Sequence, residues 1–300
     1  MHHHDDDDHD HGLAHDLGVM DRLIERRRAL RWFAGAGTAA LVAGCGGGSS
    51  GETETSSSVS VVTASATPTA TPTATATTTT TGACIADPTE TAGPYPADGT
   101  NTASGSTSNI LPVSGIVRSD IRSSFISTTT VATGVAVTLT LTLVDVNASC
   151  GALAGYAIYL WHCDRQGNYS LYSAPAESYL RGVQVTNASG QVSFTTIFPG
   201  CYSGRYPHMH FEVYSSLTAA TSGKYALLTS QFAMPAAVCN TVFSDTTTYP
   251  SSKTNFASVT TANDNVFGDN TAAQIAVQTP SFSGSVAAGY TATAVIGIAR

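Results

Sequence analysis

The run Val137-Thr-Leu-Thr-Leu-Thr-Leu143 alternates apolar and polar residues without a break. A two-residue period places Val137, Leu139, Leu141 and Leu143 on one face of an extended strand and three threonines on the other. Such a strand buries one face and needs a second layer to cover it. Tyr156 to Cys163, Gln191 to Phe198, His208 to Tyr214, Ala226 to Met234 and Thr291 to Ala299 read as further strands. Turn signals separate them, among them Asp164-Arg-Gln-Gly167, Asn187-Ala-Ser-Gly190 and Pro199-Gly200. No convincing 3.6-residue pattern competes with these strands. Residues 83–300 are therefore expected to form an all-β domain, a single β-sandwich with long functional loops. Residues 240 to 290 carry too little periodicity to assign.

The first part of the chain has no such pattern. Residues 1–45 open with the polar low-complexity stretch MHHHDDDDHDHG and continue into Glu25-Arg-Arg-Arg28, Arg31 and a short apolar run from Trp32 to Gly44. Basic residues before a short apolar core make an export signal, and the paired arginines resemble a twin-arginine signal. Val42-Ala-Gly-Cys45 resembles a bacterial lipobox, which would make Cys45 the lipidated residue. Residues 46–82 are almost all Ser, Thr, Ala, Pro and Gly, a composition that buries no core and gives a disordered spacer. The expected protein is exported, a bacterial lipoprotein held to a membrane by an N-terminal lipid anchor, periplasmic or on the cell surface.

After Cys45 the chain carries 8 Lys plus Arg against 13 Asp plus Glu, with no basic cluster. That balance argues against a nucleic-acid partner. Five further cysteines, Cys84, Cys150, Cys163, Cys201 and Cys239, lack any C-x-x-C pair, which disfavours a Cys-rich zinc site. In an exported protein they favour two disulfides and one free thiol, with the connectivity left open.

Six of the nine histidines lie within the first 15 residues, so beyond Cys45 only His162, His208 and His210 remain. His208 and His210, one residue apart on a strand, project to the same face with Cα atoms roughly 6 to 7 Å apart. Two imidazoles do not fill a coordination sphere. Glu212 continues the same face, and Tyr169 and Tyr202 offer phenolates, hard anionic donors suited to a trivalent ion. His162 beside Trp161 reads as structural.

Trp161-His-Cys-Asp-Arg-Gln-Gly-Asn-Tyr169, Phe194-Thr-Thr-Ile-Phe-Pro-Gly-Cys-Tyr202 and Arg205-Tyr-Pro-His208-Met-His210-Phe211 resemble the intradiol ring-cleavage dioxygenases, the family of the protocatechuate 3,4- and catechol dioxygenases. Thr91-Ala-Gly-Pro-Tyr-Pro96 and Thr229-Ser-Gln231 resemble two further family segments, and the likeness runs over roughly residues 84 to 275. The leader and spacer are similar to those of a secreted or lipoprotein branch. The resemblance implies Tyr169, Tyr202, His208 and His210 as ligands of Fe(III), catalytic tasks for Arg205 and Gln231, and a substrate-lining place for Tyr95. It implies a catecholic substrate and dioxygen as partners, cleavage between the two hydroxylated carbons, and a cis,cis-muconate-type product. It also allows a homodimer. Cys201 stands where the family often has an aromatic residue, and Thr91-Ala92 replaces a more usual Thr-Glu. Catechol, protocatechuate, hydroxyquinol and larger lignin-like phenols all remain open as substrates.

Two other readings use the same residues. One is a non-catalytic, lipid-tethered β-sandwich binding module in which the tyrosines and Arg205 pack or hold a ligand. The other is a copper or zinc site built on the H-x-H, although a cupin would place a glutamate about four residues after the second histidine, and Glu212 follows by two.

Overall fold

The computed structural model describes residues 84–300. The expected export signal, Cys45 and the expected spacer lie outside the described residues. Strand Ala136–Asp145 (β3) follows a small hairpin of Asp98–Ala103 (β1) and Ser106–Asn109 (β2). The remaining strands are Gly151–Ala152 (β4), Ala157–Trp161 (β5), Arg181–Val185 (β6), Gln191–Ile197 (β7), His208–Tyr214 (β8), Leu228–Ala233 (β9), Ser281–Ser285 (β10) and Gly289–Ile298 (β11).

Two sheets form the sandwich. In the five-stranded sheet, β3 runs parallel to β11 and antiparallel to β7 and β4, with β10 outside β11. The four-stranded sheet has the order β6-β5-β8-β9, antiparallel throughout. The alternation in β3 sends Val137, Leu139, Leu141 and Leu143 into the core between the sheets, where Ile158, Leu160, Phe194, Met209, Phe211, Val213 and Phe232 meet them.

The outer face of the four-stranded sheet is buried as well. Ala157, Tyr159 and Trp161 point away from the main core into a second cluster with Val183 of β6 and with Ala97, Ile110, Ile116 and Tyr169, which the segment before β3 and the loop between β5 and β6 supply. All seven residues of β8 are consequently buried. Its odd positions Met209, Phe211 and Val213 pack in the sandwich, and its even positions His208, His210 and Glu212 face the covering segments.

The expected strands are all present, within a few residues of their expected bounds. Residues 240 to 290, left unassigned from sequence, contain Ser252–Phe256 (α2), Ala272–Val277 (α3) and β10, and helix Ala236–Val242 (α1) reaches into them. At five to seven residues these helices are too short to show a helical period. The expectation of two disulfides is corrected. Among the described residues Cys84 pairs with Cys150, while Cys163, Cys201 and Cys239 are free and buried. Each of these three thiols hydrogen-bonds a backbone carbonyl, as a satisfied core cysteine does. The single bridge closes a loop spanning 66 residues of sequence separation, which restricts the unfolded chain by about 4 kcal/mol.

The segment after Cys84 is sewn to β11. The Asp87 amide donates to Gly297 O at 2.9 Å, and the Gly297 amide donates to Asp87 Oδ2 at 2.7 Å. Asp87 Oδ1 is buried without a partner, and burial pushes the carboxyl up to about 7 against the one lowering hydrogen bond. A carboxyl whose folded pKa exceeds its unfolded value favours the fold fully below the unfolded value, and the favour is lost as pH rises through the folded one. Stability should therefore fall between about pH 4 and 7, by up to about 4 kcal/mol from this group. Asp87→Asn should flatten that stretch of the pH–stability curve in urea titrations at fixed temperature. An unchanged slope would show that Asp87 ionises freely in the fold.

Candidate metal centre

Four side chains from three places converge on the covered face of β8. His208 and His210 come from the strand itself. Tyr169 comes from the β5–β6 loop and Tyr202 from the turn between β7 and β8. His208 Nε2 lies 3.1 Å from His210 Nε2 and 3.3 Å from the hydroxyls of both Tyr169 and Tyr202, and Tyr169 Oη is 3.3 Å from His210 Nε2. First-row metal bonds of about 2.0 to 2.2 Å to nitrogen and oxygen separate neighbouring donors by about 3 to 3.5 Å. The four donors have that spacing. Among the described residues no three His, Cys, Asp or Glu side chains gather around one point. The neighbours of the two imidazoles are phenols.

Local structure fixes each donor. Asp164 begins the turn that aims Tyr169: its Oδ1 accepts from the amides of Gln166 and Asn168, at 2.8 and 3.0 Å. Gly167 adopts φ +94°, and a Cβ there would lie 2.9 Å from Tyr202 Cβ, so the turn that carries one phenol needs a glycine to pass the other. Ser173 Oγ accepts from the Tyr169 amide at 2.8 Å. His208 Nδ1 donates to Tyr206 O at 2.6 Å, which leaves Nε2 as a lone pair directed at the phenols. His210 stacks on Trp161, centroids 4.9 Å apart and planes within 6°. Gly93, at φ +71°, also lies against this imidazole, where a Cβ would meet His210 Cε1 at 3.2 Å.

The ionisation states suit cation binding. Burial, then the nearby Arg205 charge, holds His208 well below the usual histidine range, and burial together with His208 does the same for His210. Both imidazoles are neutral donors at neutral pH. Burial holds the Tyr169 and Tyr202 phenols far above 10, so deprotonating the two requires a positive charge placed between them. Two neutral imidazoles and two phenols that ionise only beside a cation fit a hard trivalent ion.

Arg205 flanks this set. Its Nε donates to Asp264 Oδ2 at 3.0 Å and its Nη2 to Gln231 Oε1 at 2.7 Å, while Nη1 is buried without a partner. Burial opposes the charge, but Asp264 and the two phenols outweigh it and hold the guanidinium above its ordinary pKa. Gln231 Nε2 donates to Thr91 O at 2.8 Å, tying the segment that carries Tyr95 to β9. The Tyr95 ring lies 4.8 Å from that of Tyr169. Glu212 is on the same face but is held away from the donors, accepting from the hydroxyls of Tyr214 and Thr229. His162 is bonded to Cys163 O and Thr196 Oγ1 and does not join the set. Cys201 is held by α2: its amide donates to Ser252 Oγ and its carbonyl accepts from Asn255 Nδ2.

Sequence reasoning missed Asp264. Its carboxylate accepts from Arg205 and from the amides of Tyr206, Val266 and Phe267, and the Arg205 charge outweighs burial to hold it below the usual carboxylate range. A lone Asp in an aperiodic stretch carries no signal of its own. Only an unpaired cation in the motif, Arg205, could have prompted a search for its counter-ion.

Residues 125–221 match a family model described as Dioxygenase. No curated protein matches the chain. Among solved structures, an intradiol ring-cleavage dioxygenase from Tetranychus urticae is 23% identical, with a TM-score of 0.54, covering 72% of this chain and 95% of that one. The dioxygenase domain of a carbohydrate-binding fusion from Streptomyces sp. SirexAA-E is 19% identical over 72% of this chain and 99% of that one, with a TM-score of 0.42. A catechol 1,2-dioxygenase from Acinetobacter sp. ADP1 is 15% identical over 72% and 63%, also with a TM-score of 0.42. The family match covers residues 125–221, about a third of the chain, and the likeness to the mite enzyme is one of fold.

Removing Asp264 leaves a buried, uncompensated guanidinium. Asp264→Ala should cost about 3 to 5 kcal/mol in urea unfolding. Asp120→Ala breaks the exposed pair with Arg122 and should cost under about 1 kcal/mol. Equal losses in the two variants would remove the special standing of the Arg205–Asp264 pair.

Proposed function

We propose that this protein is an exported non-haem Fe(III) dioxygenase that cleaves catecholic rings between the two hydroxylated carbons, giving cis,cis-muconate-type products. The family match and the shared fold support an intradiol ring-cleavage dioxygenase enzyme. The single observation that carries the iron reading is the convergence of two phenols and two neutral imidazoles at 3.1 to 3.3 Å. Tyr169, Tyr202, His208 and His210 would hold the ion. Ferric iron would supply a Lewis-acidic charge that draws electron density from a bound catecholate and opens its ring carbons to dioxygen. Both oxygen atoms end in the product, so the reaction needs no external reductant.

The protein's own groups do the rest. Tyr169 is almost fully buried, whereas Tyr202 keeps some exposure and stands at the accessible edge of the set. Tyr202 Oη, ionised once a cation is bound beside it, would therefore accept one of the two hydroxyl protons of the catechol. Arg205 presents the unpaired Nη1 to negative charge developing on the substrate, and Asp264 and Gln231 fix its plane. Tyr95 and the Thr91–Pro96 segment, held by Gln231, form the lip over the donors. Export rests on the Arg-rich signal and the lipobox at Cys45, which would place the enzyme on a lipid anchor where extracellular phenols reach it.

Loading with ferric iron should give a red-brown protein with a broad visible tyrosinate charge-transfer band, and oxygen uptake on adding catechols. Tyr202→Phe should bleach or shift the band. Arg205→Lys, which keeps a charge beside Asp264, should retain the band yet lower kcat by about 10²-fold. A colourless protein holding stoichiometric copper or zinc would sink the ferric reading.

A further inference from the structure

Arg181, at the start of β6, is 1% exposed, yet among the described residues its guanidinium hydrogen-bonds only neutral oxygens. Nε donates to Ser170 Oγ at 2.9 Å. Nη1 donates to Pro96 O at 2.9 Å and Tyr159 Oη at 3.0 Å, and Nη2 donates to Tyr95 O and Ser170 O, both at 2.9 Å. These bonds use the full complement of guanidinium N–H donors. A buried charge without a counter-ion is costly, and only such charge-assisted bonds offset it. The expense needs a reason, because an apolar side chain could fill the space.

The bonds join two stretches that are far apart in sequence. One is Tyr95-Pro96, on the lip over the donor set. The other is Ser170, adjacent to Tyr169, and the Tyr95 and Tyr169 rings lie against each other 4.8 Å apart. The backbone of Arg181 is itself anchored, since its carbonyl accepts from Arg118 Nε and Nη2 at 2.9 and 2.7 Å. The Tyr172 ring lies 5.5 Å from the guanidinium carbon, and Tyr172 Oη accepts from the Ala97 amide at 2.9 Å. The clamp thus rests on a rigid strand and reaches both sides of the site. A lysine offers three donors and no plane, so it cannot replace all five bonds.

We propose that Arg181 is a positioning residue of this site, a clamp that sets the gap between the Tyr95 lip and the Tyr169 phenol and so governs both substrate entry and the orientation of one iron ligand. The proposal rests on the ferric dioxygenase reading for its consequence, but the clamp can be tested without iron. Hydrogen exchange would be followed in the full-length protein, iron-free, for Arg181→Gln and Arg181→Lys. Val192→Ala, in the inter-sheet core, serves as the control for general destabilisation. Exchange at Tyr95, Ala97, Ser170 and Leu171 should accelerate at least tenfold in Arg181→Gln, with the amides of β3 and β7 unchanged, and less in Arg181→Lys. Acceleration spread over the whole domain, as in Val192→Ala, would overturn the clamp. Arg181→Lys carries the comparison if Arg181→Gln does not fold. In ferric-loaded protein, Arg181→Lys should shift the charge-transfer band and raise KM for catechol severalfold, more than it lowers kcat. A wild-type band and KM in a variant with locally accelerated exchange would overturn its role in the site. A wild-type protein without the band would instead overturn the ferric reading, and the iron-free exchange would still decide the clamp.

Discussion

The site depends on burying both faces of one strand. In β8 the face carrying Met209, Phe211 and Val213 is the middle of the sandwich, so the strand cannot shift register without exposing that core. The opposite face therefore presents His208 and His210 at a fixed spacing and angle. Ordinary sandwiches leave such a face to water. Here the segment before β3 and the β5–β6 loop cover it, and the same coverage removes water from the imidazoles and phenols. Rigidity and desolvation thus come from one arrangement.

Desolvation then decides the chemistry. It disfavours charge on every donor, which keeps the imidazoles neutral and the phenols protonated until a cation supplies the compensating charge. The same coverage would be costly for the two guanidiniums beside the site, and the protein stabilises them differently. Arg205 has a carboxylate partner in Asp264 and keeps both N–H donors of Nη1 free. Arg181 has all its donors on neutral oxygens and keeps none. The first arrangement suits a group that meets a ligand, and the second suits a group that holds the protein in place.

Much of the fold was legible because the period-two signal is strong where one face is buried. Val137 to Leu143 and Gln191 to Phe198 alternate plainly, and β3 and β7 lie there, paired to each other. The H-x-H of β8 was legible for a different reason, the scarcity of histidine beyond the leader. What escaped has physical causes too. Strand β6 is only five residues long and carries Arg181, Gly182 and Gln184, a pattern with little apolar contrast. The helices near residues 236 to 277 are one to two turns long. Asp264 and Arg181 act through partners distant in sequence, and no local period records such a pairing. The single disulfide followed the same rule: Cys163, Cys201 and Cys239 are core residues, a role that spacing does not distinguish from bonding.

The remaining question is why the covering segments stay closed over a site that a substrate has to enter. The Thr91–Pro96 stretch is held by Gln231 through Thr91 O and by Arg181 through Tyr95 O and Pro96 O. Each contact is a backbone carbonyl, so the side chains along the stretch are free to differ without loosening it. Gly93 and Thr91 are exceptions: the positive φ of Gly93 and its close approach to His210 leave no room for a Cβ, and Thr91 Oγ1 accepts from the Gly93 amide at 3.0 Å. A lip fixed by its backbone can vary most of its side chains while holding one distance to the donor set. Tyr95 is the side chain on that lip that reaches Tyr169, and its backbone is held by Arg181.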